Sequence, residues 1–263
     1  MHLFFPVFPE DSPFSEELPS RICKNGDSIQ QHQVFMSIAE NFRAVRDRVA
    51  SAALRAGRDP ESISIISVSK TFPAENLQEA IDSGIRLFGE NRIQEAKNKI
   101  PLLRGDFVFH MIGHLQSNKA REAVELFDII HSIDSASTAE RVNREAEKAG
   151  KTQKILIQIN TSGEESKSGA APGEALRLAS DCSAMKNIRL LGLMTIGPFT
   201  DEENKIRDCF RRTAMIMQEV NRQCGLSMKE LSMGMSGDFE IAVEEGATMV
   251  RVGSLIFGGR TYL

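Results

Sequence analysis

From Val34 onward the apolar positions change their spacing twice. Val34, Ile38, Phe42, Val45, Val49 and Ala53 recur at helical intervals, and Gly57 ends the run. That spacing predicts one amphipathic helix. Beyond it, short β-rich apolar runs alternate with amphipathic stretches. The runs are SISIISVS (62–69), RLFGEN (86–91), FVFHMIG (107–113), DIIHSI (128–133), KILIQIN (154–160), RLLGLMTIG (189–197), ELSMGM (230–235) and TMVRVG (248–253). Near-continuous apolar runs of this length suit strands buried on both faces. The stretches between them carry helix punctuation. Pro73 opens AENLQEAIDSG, which closes at Gly84, and Pro172 opens GEALRLASDCSAM. TDEENKIRDCFRRTAMIMQEVNRQCG (200–225) begins acidic and ends in Gly, as the helix dipole favours. Residues 1–33 hold no sustained period and read as an extension or a cap.

Eight β–α alternations predict a parallel sheet, either open and doubly wound or closed as a (β/α)8 barrel of the TIM type. The count of eight favours the barrel. So do the small residues Ser64, Gly89, Gly192 and Gly234, which suit crowded interior layers. The first strand leads into SVSKTFP, without the GxGxxG of a dinucleotide fold. The expected organisation is therefore a single α/β barrel domain over residues 34–263.

Charge and cysteine narrow the function. A formal net charge of −4 over 263 residues gives no general attraction to polyanions, so no nucleic-acid partner is expected. Arg207, Arg211 and Arg212 read as a solvated helix face. Cys23, Cys182, Cys209 and Cys224 form no CxxC and read as free thiols of a reducing compartment. No apolar stretch reaches the ~20 residues of a membrane span. MHLFFPVFP lacks a basic front and is broken by Pro6 and Pro9, so it makes a poor signal peptide. Cytoplasm is the expected location.

In a (β/α)8 barrel, chemistry gathers where strands end. The ends here present Lys70, Asn91, His110 and His114, Asn160, Thr195, Ser236, and Arg251 with Gly253 and Ser254. Ser64, Ile66, Val68 and Lys70 alternate onto one face. If that face points inward, Lys70 stands in the mouth, where burial and a cationic neighbour favour the free amine that attacks aldehydes. The competing reading is a surface lysine past a strand end. Ser236 and Gly237 precede a helix with Asp238 near its cap, and GSLIFGG follows the eighth strand. Loops after strands seven and eight commonly hold phosphate in this fold, although such glycines also serve plain turns. Arg251, between two valines, needs a partner: an acidic residue such as Glu90 or Glu240, or a ligand acceptor. His110 and His114 lack the companions of a metal site, and His131 reads as a packed core residue.

These residues resemble the pyridoxal phosphate homeostasis protein family, single-domain barrels akin to the N-terminal domain of alanine racemase. The resemblance is carried by SVSKTFPAENLQEAIDSG, FGENRIQEAKNK, HMIGHLQSNK, INTSGEESKSG, GLMTIG and LSMGMSGDFEIAVEEGATMVRVGSLIFGGR, in order from about Ser62 to Arg260. It implies that Lys70 carries pyridoxal 5′-phosphate (PLP) as an internal aldimine and that Asn91 lies beside the cofactor. It implies that Ser236, Gly237, Gly253 and Ser254 hold the phosphate, and that Arg251 faces the pyridine nitrogen.

An Arg opposite the ring nitrogen only donates, which leaves that nitrogen unprotonated and the ring a weaker electron sink. The racemase-like relatives add a domain with a tyrosine base, whereas this chain's only tyrosine is Tyr262, near its end. The expectation is a monomeric PLP carrier rather than an enzyme, with PLP-dependent apoenzymes as recipients. A racemase-type PLP enzyme and a cofactor-free Schiff-base aldolase are the alternatives. Lys167, after strand five, reads as a solvated loop lysine, with transient receipt of the aldehyde as the second reading.

Overall fold

A computed structural model describes residues 36–258 except Glu165. The expected extension 1–33, Val34, Cys23 and Tyr262 lie outside the described residues. Each of the eight apolar runs forms a strand: β1 (Ser64–Val68), β2 (Leu87–Glu90), β3 (Val108–Met111), β4 (Ile129–Ile133), β5 (Gln153–Gln158), β6 (Ile188–Met194), β7 (Glu230–Ser232) and β8 (Met249–Val252). All neighbours pair in parallel, and β8 pairs back onto β1 through Ser64–Met249 to Ser67–Val252. The sheet is a closed barrel in sequence order, which leaves no strand edge unpaired. The open doubly wound alternative is excluded.

Helices cover the outside: α1 (Ile38–Arg55), α2 (Ala74–Asp82), α3 (Ile93–Lys99), α4 (Ala120–Leu126), α5 (Ala136–Lys148), α6 (Ala175–Ser183), α7 (Glu203–Cys224), α8 (Phe239–Glu244) and α9 (Ser254–Phe257). The leading helix starts at a reciprocal cap, in which Glu40 N donates to Ser37 Oγ and Ser37 N donates to Glu40 Oε2. It packs against α8 and α9, and Asn41 Nδ2 donates to Ile256 O at 3.0 Å. α7 stops at Gly225, whose φ of 63° is the left-handed helix stop. The arginine face of α7 is not simply solvated. Arg207 pairs with Glu203, Glu244 and Glu245, and Arg211 with Glu245, tying α7 to α8. Only Arg212 of the three keeps the expected role, on the exposed surface.

Register sorts the strand residues into two cores. Ile66, Ile129, Leu156, Met194 and Met249 plug the barrel interior, while the larger cluster lies between sheet and helices. The small residues divide accordingly. A Cβ on Gly89 would sit 2.7 Å from Ile66 Cγ2, so this position is crowded as expected. Ser64 instead lies exposed at the lower rim, and Gly234 falls just past β7 against α8, at φ 91°. Gly192 is the tightest of these, since a Cβ there would come 1.8 Å from the Glu230 carbonyl oxygen. That neighbour is backbone, so β7 would have to move. Gly192→Ala is expected to destabilise the fold by about 3 kcal/mol in urea unfolding, against near zero for Gly173→Ala, whose added methyl meets nothing within 4 Å.

Candidate functional site at the barrel mouth

One cavity of ≈ 530 Å³ opens at the carboxyl end of the strands. Lys70, Asn91, Ser236, Gly237, Arg251, Gly253 and Ser254 all line it, so the seven residues to which the family resemblance points meet in one place. Val68, Phe72, Ile112, Ile196 and Met235 supply apolar walls wide enough for a flat ring. Two features mark the cavity as made for a polar guest. Asn91 Oδ1 is buried without a hydrogen-bond partner. The backbone N–H groups of Ser236, Gly237 and Ser254 find no acceptor among the described residues, and the two serine hydroxyls line the same wall. Clustered free N–H groups with hydroxyls suit a phosphate-sized anion.

Lys70 is presented by a braced loop. Thr71 beside it has φ 70°, a left-handed conformation costly for a β-branched residue. Its N–H donates to Glu95 Oε2 at 2.7 Å, which holds that conformation. On the other flank, Lys99 Nζ donates to Ser69 O at 2.9 Å and pairs with Glu90 Oε1 at 2.9 Å and Glu95 Oε2 at 3.2 Å. Ser69 Oγ donates to the same Glu90 oxygen at 2.7 Å. Glu90 is 0% exposed, and burial pushes its carboxyl up against the opposing pull of Lys99 and Ser69. Burial would raise Glu95 too, yet the Thr71 N–H and Lys99 keep it below the usual range. Both peptide neighbours of Lys70 are thus fixed from β2 and α3, while Lys70 itself lines the cavity with Val68.

Arg251 finds neither acidic partner anticipated for it. Glu90 belongs to Lys99 and Glu240 to Arg48. Its Nη1 donates to Ser232 Oγ at 2.7 Å and its Nη2 to Thr195 O at 2.9 Å. Burial pulls the guanidinium down to about 10, with Asp238 opposing, so it stays charged at neutral pH. Behind Ser232 lie both strand histidines. His131 Nδ1 is 3.0 Å from Ser232 Oγ, and His131 Nε2 is 2.9 Å from His110 Nδ1. Burial lowers His110 to about 3, helped by Lys154, and holds His131 well below its ordinary value, helped by His110 and Arg251.

A histidine kept neutral only in the folded state makes the unfolded chain bind the extra proton. Stability is then full above the unfolded value of 6.5 and falls as pH drops toward the folded one. Unfolding free energy should fall by up to about 1.4 kcal/mol per pH unit for each histidine between pH 6.5 and about 5, above the carboxylate range. A flat urea-unfolding profile across that window would reject neutral burial of the pair.

The other strand ends do less at the mouth. Asn160 ties down its own loop through Glu164 O and Lys167 O. Thr195 turns its hydroxyl outward to Thr161 at 2.8 Å and contributes its carbonyl to Arg251. His114 is exposed, with Nδ1 3.3 Å from Asp134. Lys167 is not simply solvated, since its Nζ pairs with Glu164 at 2.9 Å and donates to Gly197 O at 2.6 Å. Sequence reasoning missed the Lys99–Glu90–Glu95 brace and the His110–His131–Ser232 chain. The signals available were the i,i+4 spacing of Glu95 and Lys99 for the brace and, for the chain, polar residues at strand positions.

Residues 35–261 match the family model described as alanine racemase, N-terminal domain. The chain is 38% identical over 228 residues to the pyridoxal phosphate homeostasis protein of Aquifex aeolicus, covering 86% of this chain and 100% of that one. It is 42% identical over 229 residues to the protein of the same name from Escherichia coli K12, covering 86% and 97%. Among solved structures, PipY of Synechococcus elongatus PCC7942 with PLP bound superposes with a TM-score of 0.72 at 39% identity, covering 81% of this chain and all of that one. An alanine racemase from Clostridium difficile shares the fold, with a TM-score of 0.68 at 16% identity, covering 84% of this chain and 57% of that one.

Proposed function

The chain belongs to the family of pyridoxal phosphate homeostasis proteins, and on that footing we propose that it holds PLP in the mouth cavity, on Lys70 as a Schiff base, as a carrier rather than an enzyme. The bound group supplies an aldehyde that condenses with a primary amine, an anionic phosphate and a ring nitrogen that accepts a hydrogen bond. This chain has a residue suited to each. Lys70 Nζ is the amine. Ser236, Gly237 and Ser254 would hold the phosphate through N–H and hydroxyl groups, with Gly253, whose N–H donates to Ser236 Oγ at 3.4 Å, beside them. Arg251 donates to the ring nitrogen, and Asn91 lies beside the ring. The observation that carries the reading is the convergence of these groups on one cavity with unused donors and an unpaired amide oxygen.

The carrier reading rests on what the cavity wall offers a substrate. Among the described residues that line the cavity, Lys70 is the only one of a type that acts as a base near neutral pH, and Asp, Glu, His, Cys and Tyr are missing from that lining. Arg251, a pure donor, keeps no proton on the ring nitrogen and so weakens carbanion stabilisation. The role in keeping is to retain a reactive aldehyde and release it to apoenzymes. Incubation of PLP-loaded protein with L-amino acids in heavy water tests this. No Cα deuterium above the level given by free PLP is expected, and steady protein-dependent exchange would favour a racemase-type enzyme instead.

A further inference from the structure

Arg251, Ser232, His131 and His110 form one hydrogen-bonded line through the barrel interior, and each is at least nine-tenths buried. The direction of its hydrogens follows from the first member. A guanidinium only donates, so Ser232 Oγ accepts from Arg251 Nη1. The serine hydrogen then has one acceptor within reach, His131 Nδ1. With Nδ1 accepting, neutral His131 carries its hydrogen on Nε2, which points at His110 Nδ1. Neutral His110 accepts there and carries its own hydrogen on Nε2. The reverse order would make Ser232 Oγ accept twice and leave its buried hydrogen without a partner. A proton added to either ring would place a second positive charge near the guanidinium.

We propose that Ser232, His131 and His110 are positioning residues for Arg251, a one-way chain of neutral donors and acceptors that fixes the plane of its guanidinium. Nη1 is committed to Ser232 and Nη2 to the Thr195 carbonyl. Arg251 also lines the cavity, so the guanidinium fixed in this way is the one a ligand there meets. What this aim does for a ligand rests on the reading of the cavity as a PLP site. The hydrogen placement itself does not.

Two measurements test the two parts separately. Long-range proton–nitrogen correlation spectra of the ligand-free protein with 15N-labelled histidine read the tautomers. Both rings are expected neutral with hydrogen on Nε2 at pH 7. Hydrogen on His131 Nδ1, or an imidazolium, overturns the chain whatever the cavity binds. For the second part, wild type, Ser232→Ala, Ser232→Thr and His131→Phe are titrated with PLP and with its 1-deaza analogue, which has CH in place of the ring nitrogen. Ser232→Ala and His131→Phe are expected to weaken PLP about tenfold and leave the analogue unchanged, with Ser232→Thr restoring PLP affinity. Equal weakening of both ligands, or no weakening of PLP, overturns the positioning role. Absence of PLP binding by wild type overturns the cofactor reading and leaves the tautomer result standing. Should either variant fail to fold, the other carries the comparison.

Discussion

Replacing Lys70 by Ala is expected to lower affinity for PLP by about 10³-fold, roughly 4 kcal/mol, while leaving the barrel folded. The affinity loss follows from removing the only primary amine among the described residues lining the cavity. The retained fold follows from how the loop is held. Ser69 and Thr71 are fixed through their backbone groups by Lys99 and Glu95, and none of those bonds uses the Lys70 side chain. Residual weak binding should persist, because the N–H and hydroxyl groups of the β7 and β8 loops are untouched. Equilibrium dialysis with circular dichroism melting measures both quantities. A variant that binds PLP as tightly as wild type would remove Lys70 from the account, and a variant that unfolds would show that the loop is held otherwise.

Replacing Lys99 by Met is expected to cost about 3–5 kcal/mol of stability. The ammonium compensates Glu90, a carboxylate in the fully buried layer between β2 and α3, at 2.9 Å. Its removal leaves that charge buried with the Ser69 hydroxyl as its remaining donor and takes one of two donors from the Ser69 carbonyl, which keeps the Phe72 N–H. Burial and loss of the cation both push Glu90 toward its neutral form. Adding Glu90→Gln should recover part of the loss, since the two groups act as one unit. Urea unfolding of both single variants and the double variant gives the coupling. Additive effects would mean that the ion pair contributes nothing of its own. Because this brace also sets the backbone on both sides of Lys70, Lys99→Met should weaken PLP binding even under conditions where it stays folded.

The legible part of this protein was what repeats or what lies at an end. Eight β-rich runs such as SISIISVS and TMVRVG declare strands by composition, and their number declares the closure. Lys70, Asn91 and Ser236 stood out as polar residues at the ends of apolar runs and Arg251 as a charge between two valines, but position alone left a surface lysine and a structural ion pair open, and only the family resemblance gave them a common ligand. The hidden part depends on contacts between distant elements. Lys99 lies 30 residues from the Ser69 carbonyl it holds, and barrel closure brings Ser232 beside a histidine 101 residues away. Neither pairing leaves a spacing in the chain. Arg207 and Arg211 show the same limit from the other side. Their helical face reads as solvated until the carboxyl end of α8 delivers Glu244 and Glu245 to them. Thr195 was noticed as a polar residue at a strand end, yet its carbonyl serves Arg251, and backbone orientation there is not written in side-chain identity.

Borohydride reduction of the PLP-loaded protein, followed by peptide mass mapping, tests the central claim most directly. Reduction traps the carbon–nitrogen bond wherever it stands. The account predicts loss of the visible absorbance band and a single phosphopyridoxyl label on Lys70. A label on Lys167 or another lysine in place of Lys70, or cofactor that dialyses away after reduction as its free alcohol with no lysine labelled, would contradict it.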